Sequence, residues 1–191
     1  MKNIIKNNFK SYLIISILGV LAGLVVWFFS HFPYNDLWSF SLFSSMSLGF
    51  WVFTSAVIVF FSMERKAAVI SEMLYVYFMF FFTGVGKITR LVQSGAGVLN
   101  FNNVFFDIIF YGVPYAIACG ILAYVLFYAK KRNVIGNLLL LLPLVYIFIE
   151  LIDFSIKLFT NKTNLFMVII DFLCLIIYIL LFRKDFKISK I

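Results

Sequence analysis

Six long apolar runs, separated by short polar or basic segments, constrain the fold of this chain more than any other feature. A helix needs about 20 mostly apolar residues to cross the hydrocarbon core of a bilayer. The runs predict six transmembrane helices, at residues 11–30, 39–62, 67–84, 104–129, 134–158 and 165–182. The predicted fold class is therefore all-α: a polytopic membrane helix bundle that forms one integral membrane domain over residues 1–191.

The composition supports lipid as the solvent for most of the surface. The chain is 64% hydrophobic and 13% charged, whereas soluble domains are about 45–50% apolar and about 25% charged. Cys119 and Cys174 lie inside apolar runs without metal or redox spacing, and His31 is the single histidine. There is no zinc-protease, nucleophile-elbow or Walker motif. We therefore predict no catalytic residues, no metal and no cofactor.

The basic residues predict the orientation of the bundle. With the N-terminus in the cytoplasm, twelve of the 16 lysines and arginines face the cytoplasm and four face outward, as the positive-inside rule requires. Both termini are expected in the cytoplasm. The net charge of +8 is interpreted as a topology and lipid signal, so the bilayer rather than nucleic acid is the expected partner. Abundant lysine, asparagine, isoleucine and phenylalanine indicate a bacterial plasma-membrane protein.

The longest polar stretch joins the third and fourth runs. Residues 84–103 are rich in glycine and asparagine and carry Lys87 and Arg90. We predict an external loop there. A short interfacial helix and a re-entrant segment remain alternatives.

Acidic residues inside two runs are the most informative candidates for function. Glu150, Asp153 and Lys157 follow the i, i+3, i+7 spacing of one helix face. Glu150 lies about 12 Å inside the outer end of its helix, and Asp171 about 10 Å inside the next. Carboxylates facing lipid cost a few kcal/mol, so they are expected to face the bundle interior or water.

These residues predict an outward-facing polar cavity that binds a small molecule from the outside. Interhelical ion pairing and snorkelling to the interface are the alternatives. The expected ligand-binding residues are Glu150, Asp153, Asp171, Asp107, Tyr111, Tyr115, Lys87 and Arg90.

Small residues at four-residue spacing mark two further helix faces, which allow close approach of another helix. That helix is either internal or part of a partner membrane subunit. The residues are Ser16, Gly19 and Gly23 in the first run and Ser41, Ser45 and Gly49 in the second.

Six spans without an ATPase motif, with the small-residue face of Ser16, Gly19 and Gly23, resemble the substrate-binding S components of energy-coupling-factor vitamin transporters. The resemblance implies a solute bound from outside and docking to a larger transporter. A non-enzymatic interaction protein, such as an immunity protein or accessory subunit, is the alternative. An intramembrane enzyme acting on lipid or peptide is the second alternative. The lack of catalytic motifs in the sequence favours a non-enzymatic role.

Overall fold

The computed structural model describes residues 4–32, 36–44, 48–93, 98–131 and 133–182; the side chains of 44, 87–93 and 98–111 lie outside this description. In these ranges the regular secondary structure is helical, apart from an isolated bridge between Ile5 and Ser62. The all-α fold class is thereby confirmed. The helices are α1 (Phe9–Phe29), α2 (Leu48–Phe61), α3 (Arg65–Gln93), α4 (Val98–Leu126), α5 (Val134–Asn161) and α6 (Leu165–Phe182).

Five of these helices are long and apolar enough to cross a membrane, and α2 is shorter. Its 14 residues rise about 21 Å, less than the ~30 Å hydrocarbon core. The prediction of one continuous helix over 39–62 was wrong in its first part, where the structure has a short 3-10 helix at Phe40–Ser44. The Ser39 hydroxyl donates a 2.7 Å hydrogen bond to the Asp36 carbonyl just before this 3-10 helix, and serine hydroxyls compete for the hydrogen bonds of a helical backbone.

The predicted loop at 84–103 is largely helical instead. Helix α3 continues to Gln93, and α4 begins at Val98. Residues 87–93 include lysine, arginine, leucine and glutamine, which are good helix formers. Of the four glycines in this stretch, Gly84 and Gly86 lie within α3. The other two are among residues 94–97, which lie outside the described residues.

The chain divides into two compact units. Unit 1 comprises Met1–Phe29 and Phe61–Tyr124, and unit 2 comprises Ser30–Phe60 and Val125–Ile191.

Unit 1 is held together by close packing of α1 against α3. A Cβ atom built on Gly19 would lie 2.5 Å from the Tyr75 carbonyl oxygen, and one on Gly23 would lie 2.5 Å from the Met79 carbonyl oxygen. Only glycine allows the two backbones to approach this closely. Because one helical turn along α1 corresponds to one turn along α3 in the same direction, the two helices run parallel.

Helix α4 packs against α3 in the opposite direction. Gly120 faces Met73. Tyr115, which comes earlier in α4, packs its ring against that of Phe80, which comes later in α3, with the ring centroids 4.8 Å apart and the planes tilted by 57°. At one end of this pair the Arg65 guanidinium donates a 2.8 Å hydrogen bond to the Tyr124 hydroxyl. Helices α3 and α4 are therefore antiparallel.

Unit 2 packs α2, α5 and α6 around an aromatic core. Phe60, Tyr178 and Phe182 are fully or almost fully buried and lie in one cluster with Leu140. The Tyr178 hydroxyl donates a 2.7 Å hydrogen bond to the Leu140 carbonyl.

The buried positions of α5 and α6 recur every three or four residues, which is the spacing of a helix–helix seam. Two of these positions are carboxylates. The buried residues are Gly136, Leu140, Pro143, Ile147, Glu150 and Phe154 in α5, and Met167, Asp171, Cys174, Tyr178 and Phe182 in α6.

Candidate functional site

Three residues of unit 2 meet at the start of α2. A Cβ atom built on Gly49 would lie 2.9 Å from Oδ1 of Asp171 and 3.0 Å from Oε2 of Glu150. Because both oxygens lie this close to one point, they are at most about 6 Å apart, a range in which like charges inside a protein repel. The absence of a side chain at Gly49 leaves the space that the two carboxylates occupy. We call these three residues the carboxylate site.

Both acids of the carboxylate site are buried. Glu150 is 9% exposed and Asp171 is 0% exposed. Within the described part of the chain, none of their four carboxylate oxygens has a hydrogen-bond partner. Buried polar groups in folded proteins are almost always hydrogen-bonded. Four unsatisfied oxygens in one place therefore call for a ligand or a proton.

The first turn of α2 supplies partial positive charge to this place. The backbone N–H groups of Leu48 and Gly49 face the Glu150 carboxylate without reaching hydrogen-bond geometry. The N-terminus of a helix carries about half a positive elementary charge and binds anions. Broken membrane helices use such ends to line binding sites.

The connection between α5 and α6 sets the depth of both acids. Lys162 ends α5 in the left-handed conformation, with φ of 54°, and Asn164 follows with φ of 70°. The carbonyls of Leu37 and Trp38 then accept the N–H groups of Leu165 and Phe166. These bonds satisfy free amides at the start of α6, and the tight connection brings Asp171 to the level of Glu150.

Ionisation of both Glu150 and Asp171 would have a high cost in free energy. Two like charges about 6 Å apart repel by about 3 kcal/mol at an effective dielectric constant of about 20. Removing each charge from water adds several kcal/mol. Chemically, the site can hold a proton, a cation or the positively charged group of a solute.

The predicted binding residues separate into three groups. Glu150 and Asp171 are brought together. Asp153 instead forms an ion pair with Lys157 on the exposed side of α5, and Tyr115 packs within unit 1. The side chains of Asp107, Tyr111, Lys87 and Arg90 lie outside the described residues.

The small residues are also divided. Gly19 and Gly23 face the α3 backbone, so an internal contact occupies them. Ser16 and Ser41 are half-buried, and Ser45 lies outside the described residues. Gly49 was expected only to pack helices, and its place in the carboxylate site was missed. Its position at the end of the small-residue spacing was the sole signal in the sequence.

The described residues contain no group of three or more histidine, cysteine, aspartate or glutamate side chains that could hold a metal ion. The carboxylate site contributes two such side chains. Cys174 lies one turn beyond Asp171 in α6 and is a free thiol.

Comparison with protein-family models, with curated proteins and with solved structures gave no match. What the fold shows, in the described part of the chain, is an all-helical protein with five helices long and apolar enough to cross a membrane.

Proposed function

We propose that this protein binds a small cationic solute at the carboxylate site and carries it across the membrane, alone or as the solute-binding subunit of a larger transporter. The observation that carries this proposal is the pair of buried, unpartnered carboxylates, Glu150 and Asp171. Ionisable groups at membrane depth are costly and mark substrate or ion pathways. A cation between the two acids would offset their repulsion and satisfy their oxygens.

The proposal includes six membrane crossings, with both termini in the cytoplasm of a bacterial cell. The parallel course of α1 and α3 supports it, because residues 30–64 must then return the chain across the bilayer once. In unit 2, Gly49 and Phe60 of α2 lie beside Asp171 and Phe182 of α6 in the same order. Helices α2 and α6 therefore run parallel, as the second and sixth crossings should.

Reporter fusions test this topology. A fluorescent protein that matures only in the cytoplasm should be fluorescent when fused after residue 191. Alkaline phosphatase, which is active only outside the cytoplasm, should be active when inserted after Lys162. The reverse pattern would contradict the proposed orientation.

The binding test uses purified protein in detergent and a panel of probes: sodium, potassium, methylammonium and tetraphenylphosphonium chlorides. We expect at least one probe to raise the melting temperature in a concentration-dependent manner. Glu150→Gln and Asp171→Asn should each reduce the affinity for that probe about tenfold or more. The reason is that an unscreened contact between opposite charges contributes more than about 1.4 kcal/mol to binding.

Asp153→Asn is the matched control, since Asp153 lies on the same helix but is exposed and paired with Lys157. Its apparent affinity should stay at the wild-type value. If all three variants reduce the affinity for the probe equally, the effect comes from a general loss of negative charge and not from the carboxylate site. If no probe binds, a cationic solute at this site is refuted.

Co-purification from native membranes tests the subunit interpretation. Recovery of an ATPase module would support a role like that of an S component. Recovery of a toxin or a larger complex, unaffected by Glu150→Gln and Asp171→Asn, would favour the non-enzymatic interaction protein.

The close carboxylate pair also favours a second candidate, an intramembrane hydrolase. One acid would have to be protonated and the other ionised to act as general acid and general base. Cleavage of a membrane peptide that stops in both Glu150→Gln and Asp171→Asn would support it. Binding and uptake of a cation without any cleavage would favour transport.

A further inference from the structure

The charges around the carboxylate site do not balance if both acids are ionised. Within the described residues, the positive contribution that faces the site is the first turn of α2, at Leu48 and Gly49. A helix N-terminus is equivalent to about half an elementary charge. That partial charge can stabilise one carboxylate but not two.

The neighbouring ionisable groups do not remove this imbalance. On α5 they are Asp153 and Lys157, which pair with each other on the exposed side of the helix. On α6 the neighbour is the thiol of Cys174. The described part of α2 contributes only main-chain groups at the site. No described lysine or arginine forms an ion pair with Glu150 or Asp171.

A proton fits the imbalance better than a resident metal ion. Resident zinc and calcium ions take four or more ligands, and the described residues hold no cluster of three suitable side chains. A proton needs only one carboxylate to carry it, and carboxylates that share a confined site characteristically hold one. One protonated and one ionised acid leave a single negative charge for the N-terminus of α2 to stabilise.

Resting on the proposed function, we propose that Glu150 and Asp171 share one proton when no solute is bound, and that a cationic solute displaces this proton. The exchange is balanced: one proton leaves the pair as one monovalent cation arrives. The carboxylate site would thereby couple solute movement to proton movement. No covalent bond of the protein is broken, and no oxidant or reductant is required.

Infrared spectroscopy of the purified protein at neutral pH tests the shared proton directly. A protonated carboxylic acid has a C=O stretching band that shifts in heavy water and that an ionised carboxylate lacks. Two difference spectra are recorded, in which the spectrum of Glu150→Gln or of Asp171→Asn is subtracted from that of the wild type. We expect each difference spectrum to show the band of one carboxylic acid. Either variant removes the like-charge repulsion and leaves one acid beside Gly49 at the N-terminus of α2. The partial positive charge of that helix end offsets part of the cost of burial, so the remaining acid should be ionised.

Asp153→Asn is again the control, and its spectrum should retain the wild-type band. The wild-type spectrum is also recorded in sodium, potassium and N-methylglucamine buffers, which requires no variant to fold. A band present only in N-methylglucamine would show that the site holds sodium or potassium, and this would overturn the proton proposal. So would the absence of the band in all three buffers. Full retention of the band in both single variants would refute sharing.

Displacement is measured by adding the probe that stabilises the protein to a weakly buffered sample. We expect release of about one proton per bound probe by stoichiometry, and none from either single variant. No release from wild type would refute the exchange. If no probe binds, the proposed function fails and the exchange with it. The infrared band still reports on the shared proton, so the two failures are distinguishable.

Discussion

Substitution of Gly23 by alanine should force α1 and α3 apart. The new Cβ atom would lie 2.5 Å from the Met79 carbonyl oxygen and 3.0 Å from the Phe82 Cβ, whereas ordinary contact begins at 3.4 Å. The helices must therefore separate locally by about 0.9 Å, which forfeits a quarter to a half of each affected dispersion contact. Overpacking of this kind costs about 1–3 kcal/mol, and removing a glycine from a helix returns up to about 1 kcal/mol.

The expected net result for Gly23→Ala is a loss of about 1 kcal/mol in the free energy of unfolding, within a range of about 0–2 kcal/mol. Unfolding in mixed micelles with increasing dodecyl sulfate, followed by circular dichroism, measures it. Gly112→Ala is the matched control, because the nearest described neighbour of its Cβ would be the Phe80 Cβ, at an unstrained 3.8 Å. That variant should be unchanged or slightly stabilised. Equal stability of the two variants would refute the argument that Gly23 is required for the close approach of α1 and α3.

Two further predictions concern unit 2. Tyr178→Phe removes the buried hydrogen bond to the Leu140 carbonyl and should cost about 0.6 kcal/mol and at most about 1.7 kcal/mol, the average and the maximum for interhelical hydrogen bonds in membranes. In the same unfolding assay Tyr77→Phe, whose ring contacts Phe78 and Phe81, should cost less, and equal losses would contradict this. Asn133→Ala removes the side-chain cap that accepts the Gly136 N–H at 2.7 Å and should cost about 1 kcal/mol. Asn133→Ser should restore most of that loss, and a serine variant no better than alanine would contradict the capping role.

Local signals in the sequence predict most of the helices. The sixth helix was expected at 165–182 and spans Leu165–Phe182, and the first was expected at 11–30 and spans Phe9–Phe29. Apolar length and flanking polar residues determine such helices, because a helix in lipid satisfies its own backbone. The loop predicted at 84–103 is instead helical up to Gln93 and again from Val98. The helix formers at residues 87–93 have more effect there than the glycines and asparagines.

The tertiary structure decided which polar residues belong together. The sequence placed Glu150 and Asp153 on one face of a helix, but three residues correspond to about 300° of rotation. Whether both are buried then depends on the face that packs against α6. That packing buries Glu150 in the seam and leaves Asp153 exposed with Lys157.

The sequence alone therefore determined that this protein is all-helical, with helices apolar enough to cross a membrane, and that Glu150 and Asp171 lie at a similar level on neighbouring helices. These properties follow from hydrophobic length and from a short connection, which are local. Only the tertiary structure decided that Gly49 and the start of α2 meet the two acids, because residues about 100 positions apart come together through packing of three helices rather than through any pattern along the chain.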